Sequence, residues 1–149
     1  MPLEFNKLGI RFQYPDNWSL AEEDALAGCQ SVTVYSPGGS FWSVAIHPPS
    51  SDPNELAAAA LEAMAEEYEG LEAEQVRETV VGREMVGHDL NFHCLDLTNT
   101  ACVRSVSTGQ ATLTIFCQAE DRDRKRIQPV FQAMTISLMR NIEPLAQRE

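Results

Sequence analysis

Residues 52 to 70 carry the clearest local instruction in the chain. Asp52 is a good N-cap, Pro53 suits the first helical position, and Glu55 completes a capping-box pattern. Ala57, Ala60, Leu61, Met64 and Tyr68 then recur on one face. Gly70 suits the left-handed stop that follows. A helix is therefore predicted from Pro53 to about Glu69. On both sides of it the apolar period changes from helical to two, which fixes a helix set among strands.

Before this helix, Gly9 to Tyr14 alternates, with Ile10, Phe12 and Tyr14 on one face. Pro15-Asp16-Asn17 is turn chemistry, and Trp18 is expected to fold back onto the sheet as an aromatic cover. The pair reads as an edge or near-edge strand with its stop. The acidic segment Ser19 to Gly28 reads as a loop. Gln30 to Ser36 and Phe41 to His47 form a hairpin across Pro37-Gly38-Gly39-Ser40.

After Gly70, strands are predicted at Glu72–Val81, Met85–Leu97, Ala101–Val106 and Gln110–Ala119. Gly82-Arg83-Glu84, Thr98-Asn99-Thr100 and Ser107-Thr108-Gly109 supply the turns, and an irregularity is expected near Gly87. A last helix covers Asp121 to Met139, with Ile127, Val130, Phe131, Met134 and Leu138 at helical spacing. Pro129 belongs in or near its first turn, or else kinks it. The tail from Asn141 to Glu149 is expected to fray.

Short links make neighbouring strands antiparallel. The fold class is α+β: a meander-rich antiparallel sheet of about six to seven strands sandwiched by two helices. A chain of 149 residues suits one domain. Its core is expected over about residues 5 to 140.

The net charge is −11. That argues against non-specific nucleic-acid binding and against adsorption to anionic membranes. No signal-peptide pattern and no 18-residue apolar run is visible, so a cytoplasmic protein is expected. The cysteines, Cys29, Cys94, Cys102 and Cys117, contain no C-x-x-C. They are read as free thiols, mostly buried as small hydrophobes.

The order of elements, joined to particular residues, resembles the PsbP-like family and its Mog-type relatives. The matching points are Gly9-Ile10-x-Phe12-x-Tyr14-Pro15-x-x-Trp18, Ser43-Val44-Ala45-Ile46, and Asp52-Pro53-x-Glu55-Leu56. Gly109-Gln110 before Leu113-Thr114-Ile115, and Phe131-x-x-Met134-x-x-Ser137-Leu138, complete them. The resemblance implies an α/β/α sandwich. It also implies a binding role, since members serve as extrinsic photosystem II subunits, Ran-GTPase partners and bacterial accessory or chaperone-like proteins. The family has no shared catalytic motif, so the resemblance assigns no site residue. The chain lacks the targeting extension of the photosynthetic members, which argues against a lumenal role.

His88, Asp89, His93, Cys94 and Asp96 bring metal-ligand types into one predicted strand. His88, Cys94 and Asp96 would share one face, and Asp89 and His93 the other. Residues 88 and 94 lie about 20 Å apart at roughly 3.3 Å per residue, beyond the reach of a single ion. No metal and no cofactor is expected. His93 cannot activate the adjacent Cys94 across a strand, and Ser36, Ser40 and Ser43 lack a nucleophile elbow. No catalytic residue is assigned.

The charges are more pointed. Glu55, Glu62, Glu66 and Glu69 make a stripe on the first helix, against its macrodipole. Arg122, Arg124, Lys125 and Arg126 crowd the start of the second, again against the dipole. Two solvated charged faces, helped by cross-helix pairing, would be the plain structural explanation. The functional one makes Glu62, Glu66, Glu69, Arg122, Arg124, Lys125 and Arg126 a binding surface for a protein partner or a second copy. The sequence thus points to a non-catalytic binding or accessory domain. A small-molecule or metal-binding domain, with or without an enzymatic activity, using a groove between sheet and helices is the alternative, with a chaperone-like protein for a secreted client as a third reading.

Overall fold

The computed structural model describes residues 1–24 and 30–142, with backbone only for Glu23 and Asp24. Cys29, the end of the expected acidic loop and residues 143–149 of the expected frayed tail lie outside the described residues.

Among the described residues, nine strands and two helices follow in order: β1 (Leu3–Lys7), β2 (Ile10–Tyr14), β3 (Ser19–Asp24), β4 (Gln30–Tyr35), β5 (Phe41–His47), α1 (Pro53–Glu67), β6 (Glu72–Val80), β7 (Arg83–Cys94), β8 (Leu97–Ser107), β9 (Thr112–Glu120) and α2 (Asp121–Arg140). Seven of the strands form one antiparallel sheet in the order β3-β4-β5-β9-β8-β7-β6. Two meanders therefore meet at β5 and β9. Helix α1 carries the chain from the middle of the sheet to its far edge. The expected α+β architecture is present.

Three expectations change. The Gly9–Tyr14 strand is not part of the main sheet. As β2 it pairs only with β1, in a two-stranded ribbon closed by Leu8 and Gly9, both at positive φ. A two-residue turn of this kind matches the right-handed twist of the strands it joins. Ser19–Asp24 is a strand, not a loop. It pairs with β4 at the sheet edge, where the exposed Glu22 discourages further strand pairing. The turn between β7 and β8 falls at Leu95-Asp96, with φ of 52° and 65°, and not at Thr98-Asn99-Thr100. Asn99 is buried inside β8, and its side chain donates to the Leu97 carbonyl at 3.1 Å.

The helix starts are as expected. The Asp52 carboxylate accepts from the Asn54 N–H at 2.9 Å, with Pro53 in the first turn. Pro129 sits in the helix interior, not its first turn, on an exposed position of α2.

Each helix covers one face of the sheet. Alternation along β8 sends Ala101 and Val103 toward α1, where they join Leu90, Phe92, Leu61, Met64 and Tyr68. Val106 and its cross-strand neighbour Leu113 turn to the other face, together with Trp42, Val44, Ile115 and Cys117. Ile127, Phe131, Met134 and Leu138 of α2 close that core. The ribbon shares this second layer. Phe12 is fully buried with its ring 4.9 Å from Trp42, and the Gln13 N–H donates to Ser137 of α2 at 2.9 Å. Trp18 meets Phe131 edge-on at 6.1 Å, after a turn closed by its N–H on the Pro15 carbonyl. It covers the helix side of the core, as an aromatic plug between turn and α2.

Candidate binding groove

Helix α2 leans toward β2 and β9. The sheet surface of β6 to β8 is left partly uncovered beside it. The result is a groove of about 580 Å³ between α2 and that end of the sheet. Arg124, Gln128, Gln132, Ile136 and Arg140 form the helix wall, and β6 the opposite rim.

Arg104 lies on the floor. It is only 8% exposed, and its guanidinium ties three strands together. Nε donates to Glu78 of β6, and Nη2 donates to Asp89 of β7 at 2.9 Å. Nη1 donates to the carbonyls of Val103 at 3.0 Å and His88 at 3.2 Å. A buried guanidinium is stable only when its fork of donors is met in this way. Burial works against its charge. The negative charge Cys102 can carry, with the carboxylates of Glu78 and Asp89, outweighs burial and holds Arg104 above its ordinary pKa. Two carboxylates against one cation leave the floor with one negative charge in excess.

Cys102 and Cys117 lie beside Arg104, directly opposite each other on β8 and β9. The hydrogen bond between the two thiols pulls Cys102 below the ordinary thiol range, with Arg104 acting in the same sense against burial. The same bond and burial push Cys117 up. At one end of the groove, the Thr100 hydroxyl contacts Asn91 at 3.1 Å and donates to Asp121 at 2.6 Å.

The charged patches read from the sequence are separated. Glu62, Glu66 and Glu69 are exposed at α1, on the opposite side of the sheet from the groove. None has an ion-pair partner among the described residues. Pairing between the two helices is therefore not what places these charges. Arg122 pairs with Glu120 at 3.1 Å and Arg126 with Asp123 at 3.2 Å. Lys125 is exposed, and only Arg124 of the four reaches the groove.

The His88–Asp96 constellation is divided as well. Asp89 turns to the groove and Arg104, while Cys94 turns to α1 and packs against the cluster that also holds Tyr68. Asp96 leaves the strand altogether, in the β7–β8 turn.

Sequence reasoning passed over Arg104, Glu78 and the Cys102–Cys117 pair. Arg104 did carry a signal. It is a single charge in Ala101-Cys102-Val103-Arg104-Ser105-Val106, an otherwise apolar and small-residue strand, and a charge in such a setting needs a buried partner. Glu78 and Cys117 gain meaning only through strand register.

No family model and no curated protein matches this sequence. Solved structures do. Cyanobacterial PsbP (CyanoP) of Synechocystis sp. PCC 6803 superposes with a TM-score of 0.63 at 14% identity, over 91% of this chain and 90% of that one. A Pseudomonas aeruginosa protein of unknown function, PA94, described as a putative regulator, gives 0.54 at 11% identity, over 92% and 95%. LpqN of Mycobacterium tuberculosis, involved in cell envelope biogenesis, gives 0.50 at 15% identity, over 90% and 86%. Nothing in these likenesses supports the Mog-type relation. At such identities they speak for architecture alone, and the architecture is that of cyanobacterial PsbP.

Proposed function

We propose that this protein is a non-catalytic binding domain whose site is the groove between α2 and β6–β8, and that it holds an extended segment of a protein partner there. The groove's shape carries this reading. Its helix wall runs from Arg124 to Arg140, about 24 Å at 1.5 Å per residue. That is long for a small metabolite and matches roughly seven residues of extended chain. The lining mixes apolar surface with the amides of Gln128 and Gln132, which suits a peptide's alternation of side chains and backbone groups. Arg124 and Arg140 are exposed at the two ends and have no ion-pair partner among the described residues. They favour a segment with acidic flanks.

A catalytic reading has less support. The charged groups on the floor are engaged with one another, and the Arg104 fork is filled by Glu78, Asp89 and two carbonyls.

Peptides selected from a displayed random library against the full chain test the proposal. Binders should be rich in acidic residues at both ends and shift amide resonances of β6–β8 and α2. Arg124→Glu with Arg140→Glu should weaken them at least about tenfold. Resonance shifts confined to α1, or binding indifferent to both arginines, would refute the groove as the site.

A further inference from the structure

Cys102 and Cys117 are direct register partners with their side chains on one face of the sheet. Antiparallel partners have Cα atoms about 4.5 or 5.5 Å apart. Either spacing lies within the roughly 4.4–6.8 Å that a disulfide spans without moving the backbone. Both thiols are free. The two are not equivalent. Cys117 is buried, whereas Cys102 is half-buried beside the Arg104 guanidinium, and both line a groove that small solutes can enter. Cys94 faces the other way, under α1.

We propose that Cys102 and Cys117 form a peroxide-responsive thiol pair, Cys102 being the attacking sulfur and Cys117 the resolving one. The Cys102 thiolate attacks one oxygen of hydrogen peroxide and the O–O bond breaks. Cys102 becomes a sulfenic acid, and the hydroxide released takes up the proton Cys102 had lost, forming water. The Cys117 sulfur then attacks Cys102 Sγ and the S–O bond breaks. The second hydroxide leaves with the Cys117 proton, as a second water. Two thiols and one peroxide give one disulfide and two waters, with two electrons passing from sulfur to oxygen. The order of attack follows from the site. Cys102 is the more exposed sulfur and lies beside the Arg104 cation, which favours its thiolate, whereas Cys117 is buried.

The full wild-type chain, treated with stoichiometric hydrogen peroxide and cleaved before its aspartates and after its arginines, decides the matter. That digestion places Cys94, Cys102 and Cys117 on three different peptides. The expected product is peptide 96–104 linked to peptide 105–120, and dithiothreitol should separate them. In Cys117→Ser the reaction should stop at a sulfenic acid on Cys102, captured by dimedone. In Cys102→Ser, Cys117 should stay reduced at the same dose. Peroxide that oxidises Cys29 or Cys94 while leaving Cys102 and Cys117 unlinked overturns the proposal. So does dimedone capture on Cys117 equal to that on Cys102. The wild-type result stands without either variant, so a substitution that fails to fold does not obscure it.

Discussion

The carbonyl oxygen of Val103 occupies the space that a side chain on Gly87 would need. A Cβ built on Gly87 would lie 1.8 Å from that oxygen and 2.7 Å from its carbon. The same oxygen accepts from Arg104 at 3.0 Å. The missing side chain on β7 thus lets β8 approach closely and present a carbonyl to the guanidinium on the groove floor.

Gly87→Ala should therefore destabilise the protein, because the clash is with backbone and cannot be relieved by turning a side chain. A loss of about 2–4 kcal/mol is expected. Urea unfolding should show a lower midpoint at unchanged slope. A loss below about 0.5 kcal/mol, the range of ordinary surface changes, would mean that β7 and β8 can part without cost.

Arg104 is the next test. Its side chain is 10% exposed, while those of Glu78 and Asp89 are 43% and 37% exposed. Arg104→Met leaves two carboxylates facing each other without their cation. Removal of one partner of a fully buried pair costs roughly 3–5 kcal/mol, and solvent at the carboxylates reduces the expectation here to about 1–3 kcal/mol. Adding Glu78→Gln and Asp89→Asn to Arg104→Met should recover most of that loss. Equal instability of the single and triple variants would assign the role of Arg104 to packing instead of charge.

The hairpin between β6 and β7 is strained at Val81, which has a φ of 49° and is 48% exposed. A β-branched residue in the left-handed region is disfavoured, whereas Asn tolerates it. Val81→Asn should stabilise by about 1 kcal/mol. In a domain of this size that raises Tm by roughly 2–4 °C. An unchanged or lower Tm would show that the apolar contact of Val81 outweighs its strain.

These three residues also mark where sequence reading stops. The first helix was legible because its signal is local: Asp52, Pro53 and a one-sided apolar stripe need no knowledge of the rest of the chain. The hairpins around Gly38-Gly39 and Thr108-Gly109 were legible for the same reason. β1 and β3 were not. Of the five residues of β1, only Phe5 is buried, and β3 is an acidic edge strand, so the period-two signal is faint in both. The β7–β8 turn uses Leu95 at positive φ, a residue with no turn preference, while Asn99 supplied a false signal. That error reaches the site. A turn centred on Asn99 would set Asp89 opposite Gly109, whereas its partner is Cys102. The network of Arg104 with Asp89 and Glu78, and the pairing of Cys102 with Cys117, depend on register, which local patterns do not carry.

The acidic face of α1 supplies the last prediction. Glu66 lies in the last turn of α1 and Glu69 just beyond it, where no basic residue offsets the helix dipole. Exchanging Glu62, Glu66 and Glu69 for Lys should stabilise the fold by roughly 0.3–1 kcal/mol in total, through the helix dipole, visible as a small rise in Tm. Partner binding in the groove should be untouched, because α1 covers the opposite face of the sheet. Sedimentation read on the same variant separates the two surfaces. A shift toward a smaller species would show that the acidic face joins two copies of the chain, while an unchanged profile together with the higher Tm would leave it as solvated surface held at a cost in helix stability.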